Sequence, residues 1–195
     1  MVDIDNIIKN ELESKEDAFT EVDILAEENK VRQLILERFP VLETHLHIQR
    51  KARMFLDPLS HRDFEKVFRF LTMEGGFDSF HLIVGVDDGE YLGFHYILSN
   101  TDHILLTVKQ RVPKARPIIK SICDRFPNAL WHERELVDLF GAIIENLPPG
   151  PSYPLPDGWP AGNYPLRKEW KPEYFDCETM TYHEPQVPEA PGADE

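Results

Sequence analysis

At 195 residues the chain has room for one domain with extensions, and its 42% hydrophobic content is that of an ordinary globular protein. Its net charge of −14 argues against nucleic acid as a partner, because phosphates must be met by Lys and Arg. The two cysteines, Cys123 and Cys177, form no CxxC pair, which excludes a four-cysteine iron–sulfur cluster supplied by this chain alone.

The charge is unevenly placed. Residues 1–30 hold ten acids against three bases, residues 31–141 hold fifteen of each, and residues 142–195 again hold ten against three. This divides the chain into an acidic helical extension over 1–40, a balanced body over 41–141 and a tail over 142–195. No apolar run approaches the roughly 20 residues that span a bilayer. The start, Met1-Val2-Asp3-Ile4-Asp5, lacks the basic and apolar stretches of a secretory signal, so a cytosolic location is expected.

In chain order, residues 2–15 read as a weak helix. Thr20 with Asp23 resembles a capping box, and Ile24, Leu25, Val31, Leu34, Ile35 and Phe39 recur at helical spacing until Pro40 stops them. From Glu43 the period falls to two. Thr44, Leu46 and Ile48 alternate with His45, His47 and Gln49 as a strand, with Met54–Leu56 as its hairpin partner. Ser60 and Asp63 open a second helix carrying Phe64, Val67, Phe68 and Leu71, stopped by Gly75-Gly76. Three strands follow. Phe80–Val86 is apolar at nearly every position and is expected at the sheet centre; Asp87-Asp88-Gly89 is a turn; Tyr91–Leu98 and Ile104–Lys109 complete an antiparallel meander. Pro117 suits the start of a helix over Ile118–Phe126, and a last helix over His132–Phe140 ends at Gly141. The expected fold is α+β: a mixed, mainly antiparallel sheet with helices on one face, then a long extended Pro-rich tail.

Eleven of the sixteen prolines lie at or beyond Pro148, so long helices and central strands are not feasible there. The same stretch carries Tyr153, Trp159, Tyr164, Trp170, Tyr174 and Phe175, too many aromatics for a simply disordered tail. Such a segment either lies along a partner or folds back over its own domain.

The chain has no phosphate-binding glycine loop, no dinucleotide fingerprint and no nucleophile elbow. His45 and His47 share one face of a strand, with His81 and His95 on neighbouring strands. They leave open an alternative reading as a free-standing small metal-binding or hydrolytic enzyme, against the plainer one of surface histidines. Cys123 falls in an expected helix as a small core residue. The densest charge pattern is Trp131-His132-Glu133-Arg134-Glu135-Leu136-Val137-Asp138-Leu139-Phe140-Gly141. Arg134 and Asp138 stand four apart and can pair, whereas Glu133 and Glu135 diverge and cannot share a substrate.

Glu133-Arg134-Glu135, two residues, then Asp138-Leu139-Phe140-Gly141 resembles the signature of the thirty-kilodalton subunit of NADH:quinone oxidoreductase, respiratory complex I. Leu155-Pro156-Asp157-Gly158-Trp159-Pro160 and Tyr164-Pro165-Leu166-Arg167-Lys168-Glu169 resemble its second block, and the likeness spans roughly Ser60–Tyr182. Between the blocks, Leu147-Pro148-Pro149-Gly150-Pro151-Ser152-Tyr153 lacks the basic residues usual in that subunit. The wording is closer to the homologous subunit of membrane-bound nickel–iron hydrogenases and related energy-converting complexes. The resemblance implies a subunit with no cofactor of its own. Iron–sulfur clusters, and possibly a nickel–iron centre, would belong to partner subunits. The body would sit against a large, hydrogenase-like catalytic chain, near the iron–sulfur subunits. The tail would wrap that chain, and the membrane arm would be reached only indirectly. It further implies a peripheral position on the inner face of the cell membrane. The partner-binding residues it implies are Glu133, Arg134, Glu135, Asp138, Trp159, Tyr164, Pro165, Leu166, Arg167, Lys168 and Trp170.

Overall fold

The computed structural model describes residues 24–183. The expected helix over 2–15 and the Thr20–Asp23 cap lie outside them. Helix α1 (Ala26–Arg38) sends Val31 and Ile35 into the core, leaves Leu34 exposed, and ends before Pro40; Ile24, in the turn before it, is also exposed. Glu28 is buried at its first turn, where its carboxylate accepts the Ala52 N–H and so ties α1 to the turn between β1 (Leu46–Arg50) and β2 (Arg53–Leu59). Helix α2 (His61–Met73) is capped by Ser60, whose Oγ accepts the Asp63 N–H at 3.2 Å and donates to Asp63 Oδ2 at 2.7 Å.

Strands β3 (Ser79–Asp87), β4 (Tyr91–Ser99) and β5 (Leu105–Pro113) form the expected antiparallel meander. The five-stranded sheet runs β1-β2-β5-β4-β3, with β2 and β5 parallel and every other pair antiparallel. The fold is thus α+β with a mixed, mainly antiparallel sheet. One sheet face carries Met54, Leu56, Leu106, Val108, Tyr96, Leu98 and Phe94, all buried. Phe64 and Phe68 of α2 meet Tyr96 there, with ring centres 4.6 and 5.5 Å apart. Each such buried side chain contributes about 1.5–3 kcal/mol. Helix α3 (Leu130–Phe140) lies on the same face, over β3.

Two expectations are corrected. Phe80–Val86 is not central: β3 is an edge strand, with Leu82 and Val84 36% and 40% exposed on the side away from the helices. Its unbroken apolar run mixes residues that serve the helix-covered core with residues that do not. Ile118–Phe126 is not a helix either. β-branched Ile118 and Ile119 lie in strand β6 (Ile118–Lys120), parallel to β7 (Ile143–Glu145), and one turn closes from Ile122 to Phe126. Cys123 therefore sits in a turn. Beyond β7, regular structure is sparse: a short helical turn at Pro172–Tyr174 and the two-residue strands β8 (Phe175–Asp176) and β9 (Thr181–Tyr182). No helix among the described residues is long and apolar enough to cross a membrane.

Candidate partner-docking site

Helix α3 is the hub on which body and tail meet. It ends at Gly141, whose φ of 67° is left-handed, and the N–H groups of Gly141 and Ala142 return to Val137 O and Leu136 O. Its inward side holds Glu133, 1% exposed. That carboxylate accepts Ser121 Oγ at 2.7 Å, the Ile122 N–H at 2.6 Å and Cys123 Sγ at 3.1 Å. A buried carboxylate is tolerable when its lone pairs are filled in this way. The bonds also explain why the segment after β6 turns instead of extending a helix. Burial, with Glu133 adding to it, pushes the Cys123 thiol up to about 11, which favours the protonated form.

The next residue faces the tail. Arg134 Nη2 donates to Pro149 O at 3.0 Å, and its guanidinium lies 5.1 Å from the Trp131 ring centre. Gly150 passes so close that a Cβ there would strike this guanidinium, which accounts for glycine at that position. Asp138 Oδ2 accepts the Leu155 N–H at 3.3 Å. The ion pair expected between Arg134 and Asp138 is absent among the described residues, because each is engaged by tail backbone instead. Further along, the Leu166 N–H reaches Leu139 O at 3.1 Å, and Arg167 Nε donates to Phe140 O at 2.7 Å, satisfying carbonyls at the end of α3. The Tyr164 ring covers Gly141 where a Cβ would clash, and the Arg167 guanidinium lies 4.4 Å from that ring's centre.

A second anchor joins the tail to the β3–β4 turn. Asp87, 7% exposed, accepts the Gly89 N–H at 2.8 Å, the Lys168 N–H at 2.8 Å and Lys114 Nζ at 2.6 Å; Lys114 also pairs with Glu169. Burial alone would raise the Asp87 carboxyl, but Lys114 and the two backbone donors outweigh it and hold it below its ordinary range. Burial likewise opposes the charge on Lys114, yet Asp87 and Glu169 raise it above its ordinary value.

The tail's aromatics pack on one another. Trp159 stacks on Phe175 at 4.5 Å, and Trp170 lies 5.8 Å from Phe175 and 6.0 Å from Tyr182. Asn163 holds both indoles, accepting Trp159 Nε1 on its carbonyl at 2.8 Å and Trp170 Nε1 on its side chain at 3.3 Å.

Of the residues singled out in the sequence, Glu133 and Arg134 are thus buried and engaged inside the chain, so neither presents a free side chain to a partner. Arg167 is 17% exposed; its Nε donates to Phe140 O, and Glu169 lies 3.9 Å from its Nη1. Trp159, Tyr164, Pro165 and Trp170 are half-buried, whereas Leu166 and the Lys168 side chain face outward. Glu135 borders a cleft with Trp131, His132 and Tyr153, whose two large aromatics are 50% and 44% exposed. The Asp87–Lys114 anchor was missed: Asp87-Asp88-Gly89 signals a turn, and nothing in the sequence shows that the turn's carboxylate also receives residue 168. His47 bonds Asp57 at 2.8 Å and His45 bonds Thr44 at 3.1 Å. Among the described residues no group of three or more His, Cys, Asp or Glu could hold a metal, so the His45/His47 enzyme reading finds no ligand set there.

The sequence model of a family described as "Respiratory-chain NADH dehydrogenase, 30 Kd subunit" matches residues 58–176, from β2 through the tail anchors to β8. The chain belongs to that family. It is 30% identical to the membrane-bound hydrogenase subunit beta of Pyrococcus furiosus over 151 residues, 72% of this chain and 84% of that one. It is 33% identical to a subunit of the F(420)H(2) dehydrogenase of Methanosarcina mazei over 110 residues, 55% of this chain and 69% of that one. Its fold matches a chain in the solved membrane-bound sulfane sulfur reductase, an archaeal respiratory membrane complex. There the TM-score is 0.66 at 23% identity, covering 74% of this chain and 86% of that one.

Proposed function

We propose that this protein is a cofactor-free structural subunit of a membrane-associated energy-converting oxidoreductase complex, of the hydrogenase or NADH:quinone oxidoreductase type. It docks on the large catalytic subunit, stands beside the iron–sulfur subunits, and contacts the membrane arm only indirectly. It is peripheral, on the inner face of the membrane. Its contribution to electron transfer is to hold redox-bearing neighbours at fixed separation, while nickel–iron or iron–sulfur centres belong to those neighbours.

The observation that carries the reading is family membership over a span containing both α3 and the anchored tail. Supporting it are relatives whose names place them in a membrane-bound hydrogenase and an F(420)H(2) dehydrogenase. The geometry fits: the signature residues build a frame, with Glu133 inward, Arg134 and Asp138 of α3 bonded to tail backbone, and Arg167 of the tail bonded back to the end of α3. The frame presents Leu166, Lys168 and Glu135, three of the expected partner residues, at its surface, together with Trp131 and Tyr153, and these make the partner contacts. The test is deletion of the chain in its source organism. Physiological electron transfer by the membranes should fall at least about tenfold and return with the wild-type chain, as expected when assembly fails and its interface contacts are lost. Undiminished electron transfer in the deletion strain would overturn the reading.

A further inference from the structure

Helices α2 and α3 pack on one face of the sheet, and Val31 and Ile35 of α1 join the same core; among the described residues no helix lies on the other face. Across it the register places Phe55, Thr107, Ile97 and Leu82 in one row and Lys109, His95 and Val84 in the next. Leu82 and Val84 are exposed, and Phe55 and Ile97 half-buried. Antiparallel sheets that face water normally carry polar residues on that side, so an apolar row there calls for a cover.

The rim of this row is basic, in a chain whose net charge is −14. Arg53 and Lys109 flank the Phe55 ring at 5.9 and 5.2 Å, and Arg111 lies 4.0 Å from the Tyr91 ring centre. Lys109 has Asp57 at 3.4 Å, but Arg53 and Arg111 have no carboxylate partner among the described residues. Arg53 Nε is itself buried and has no acceptor among them. Two arginines left without a carboxylate on one face, with 35 acids in the sequence, fit an external acidic surface. Gly93 lies on the same face, where a Cβ would meet only ordinary contacts. The chain's own packing does not require glycine there; close approach by another molecule would.

We infer that this sheet face, around Phe55, Ile97, Leu82 and Val84, is the surface by which the body docks on the large catalytic subunit, and that the matching partner surface is apolar at its centre and acidic at its rim. This rests on the function proposed above and specifies its interface. The apolar row supplies burial, and Arg53, Lys109 and Arg111 supply orientation and discrimination against basic surfaces.

The test uses the full chain co-expressed with its large subunit. Lys109→Glu with Arg111→Glu should cut recovery of the large subunit at least about tenfold, since reversed charges turn attraction into repulsion. Lys66→Glu with Arg69→Glu, on α2, should leave recovery unchanged. Hydroxyl-radical footprinting of the wild-type complex should show Leu82, Val84 and Tyr91 protected relative to the free chain, which covers the case in which the double variant fails to fold. The inference is overturned if both variants recover the large subunit equally and these side chains stay reactive in the complex. It is equally overturned if the face is already protected in the free chain and is uncovered by deleting the acidic residues 1–23, or if the charge variant merely converts a wild-type dimer to monomer. Failure of the wild-type chain to recover the large subunit at all would instead sink the function on which the inference rests.

Discussion

Glu133 shows how a conspicuous charge in a motif can belong to the inside of a protein. In the sequence it stands in a helix dense with charge and reads as a surface contact. In the structure it takes three donors from the segment after β6, and with it that segment turns back toward α3. Glu133→Ala would leave those donors buried and unpaired, so denaturant unfolding should show a loss of about 2–4 kcal/mol. Glu135→Ala, two residues along and only half-buried, should stay within about 0.5 kcal/mol of wild type. Equal losses for the two would mean that the Glu133 bonds do not support the fold. The spacing Glu133-Arg134-Glu135 could not reveal this, because which of two acids points inward depends on where β6 and its turn lie.

At the scale of elements, local signals were legible where local chemistry decides the outcome. The Ser60–Asp63 cap, the Gly141 stop and the β3–β4 turn were readable because each is settled within a few residues. The order of strands was not, since the parallel pairing of β2 with β5 is long-range and leaves β3 at an edge despite its apolar run. Nor was the path of the tail, because anchors such as Asp87 to the Lys168 N–H join residues 81 positions apart. The described part of the tail behaves as a strap on its own body, with Arg134, Asp138, Phe140 O and Asp87 as its fastenings. Gly150→Ala should lift the strap at Arg134: limited proteolysis should cut near Pro149–Tyr153 several-fold faster, while the melting temperature of the body changes little. Unchanged cleavage would mean that the Arg134 contact does not hold this stretch.

The strap should also respond to acid. Asp87 is held below its ordinary value, so its contribution is present above the unfolded carboxylate value of about 3.9 and is lost as pH falls through the lowered folded value. Lys114 is raised, so its contribution persists until pH climbs past about 10.4. Fluorescence of Trp159 and Trp170 should therefore be flat from about pH 5 to 9 and change below about pH 4. Asp87→Asn should abolish the acid step; a step that survives in this variant would assign it to another group.

Among the described residues, body and strap form one frame: a sheet with helices on one face, a face with basic and apolar residues that no described helix covers, and an anchored tail across α3. The α+β class and the family were legible because both signature blocks survive in order; the division of labour inside those blocks was not, because burial is a property of the assembled fold. The central claim, a cofactor-free subunit held in a larger oxidoreductase, is tested most directly by native mass spectrometry of the tagged chain isolated from its own membranes. The account predicts an assembly containing the large catalytic and iron–sulfur subunits, from which this chain is released at its sequence mass without added metal or cofactor. A chain found only as a free monomer, or released with a stoichiometric metal or flavin, would contradict it.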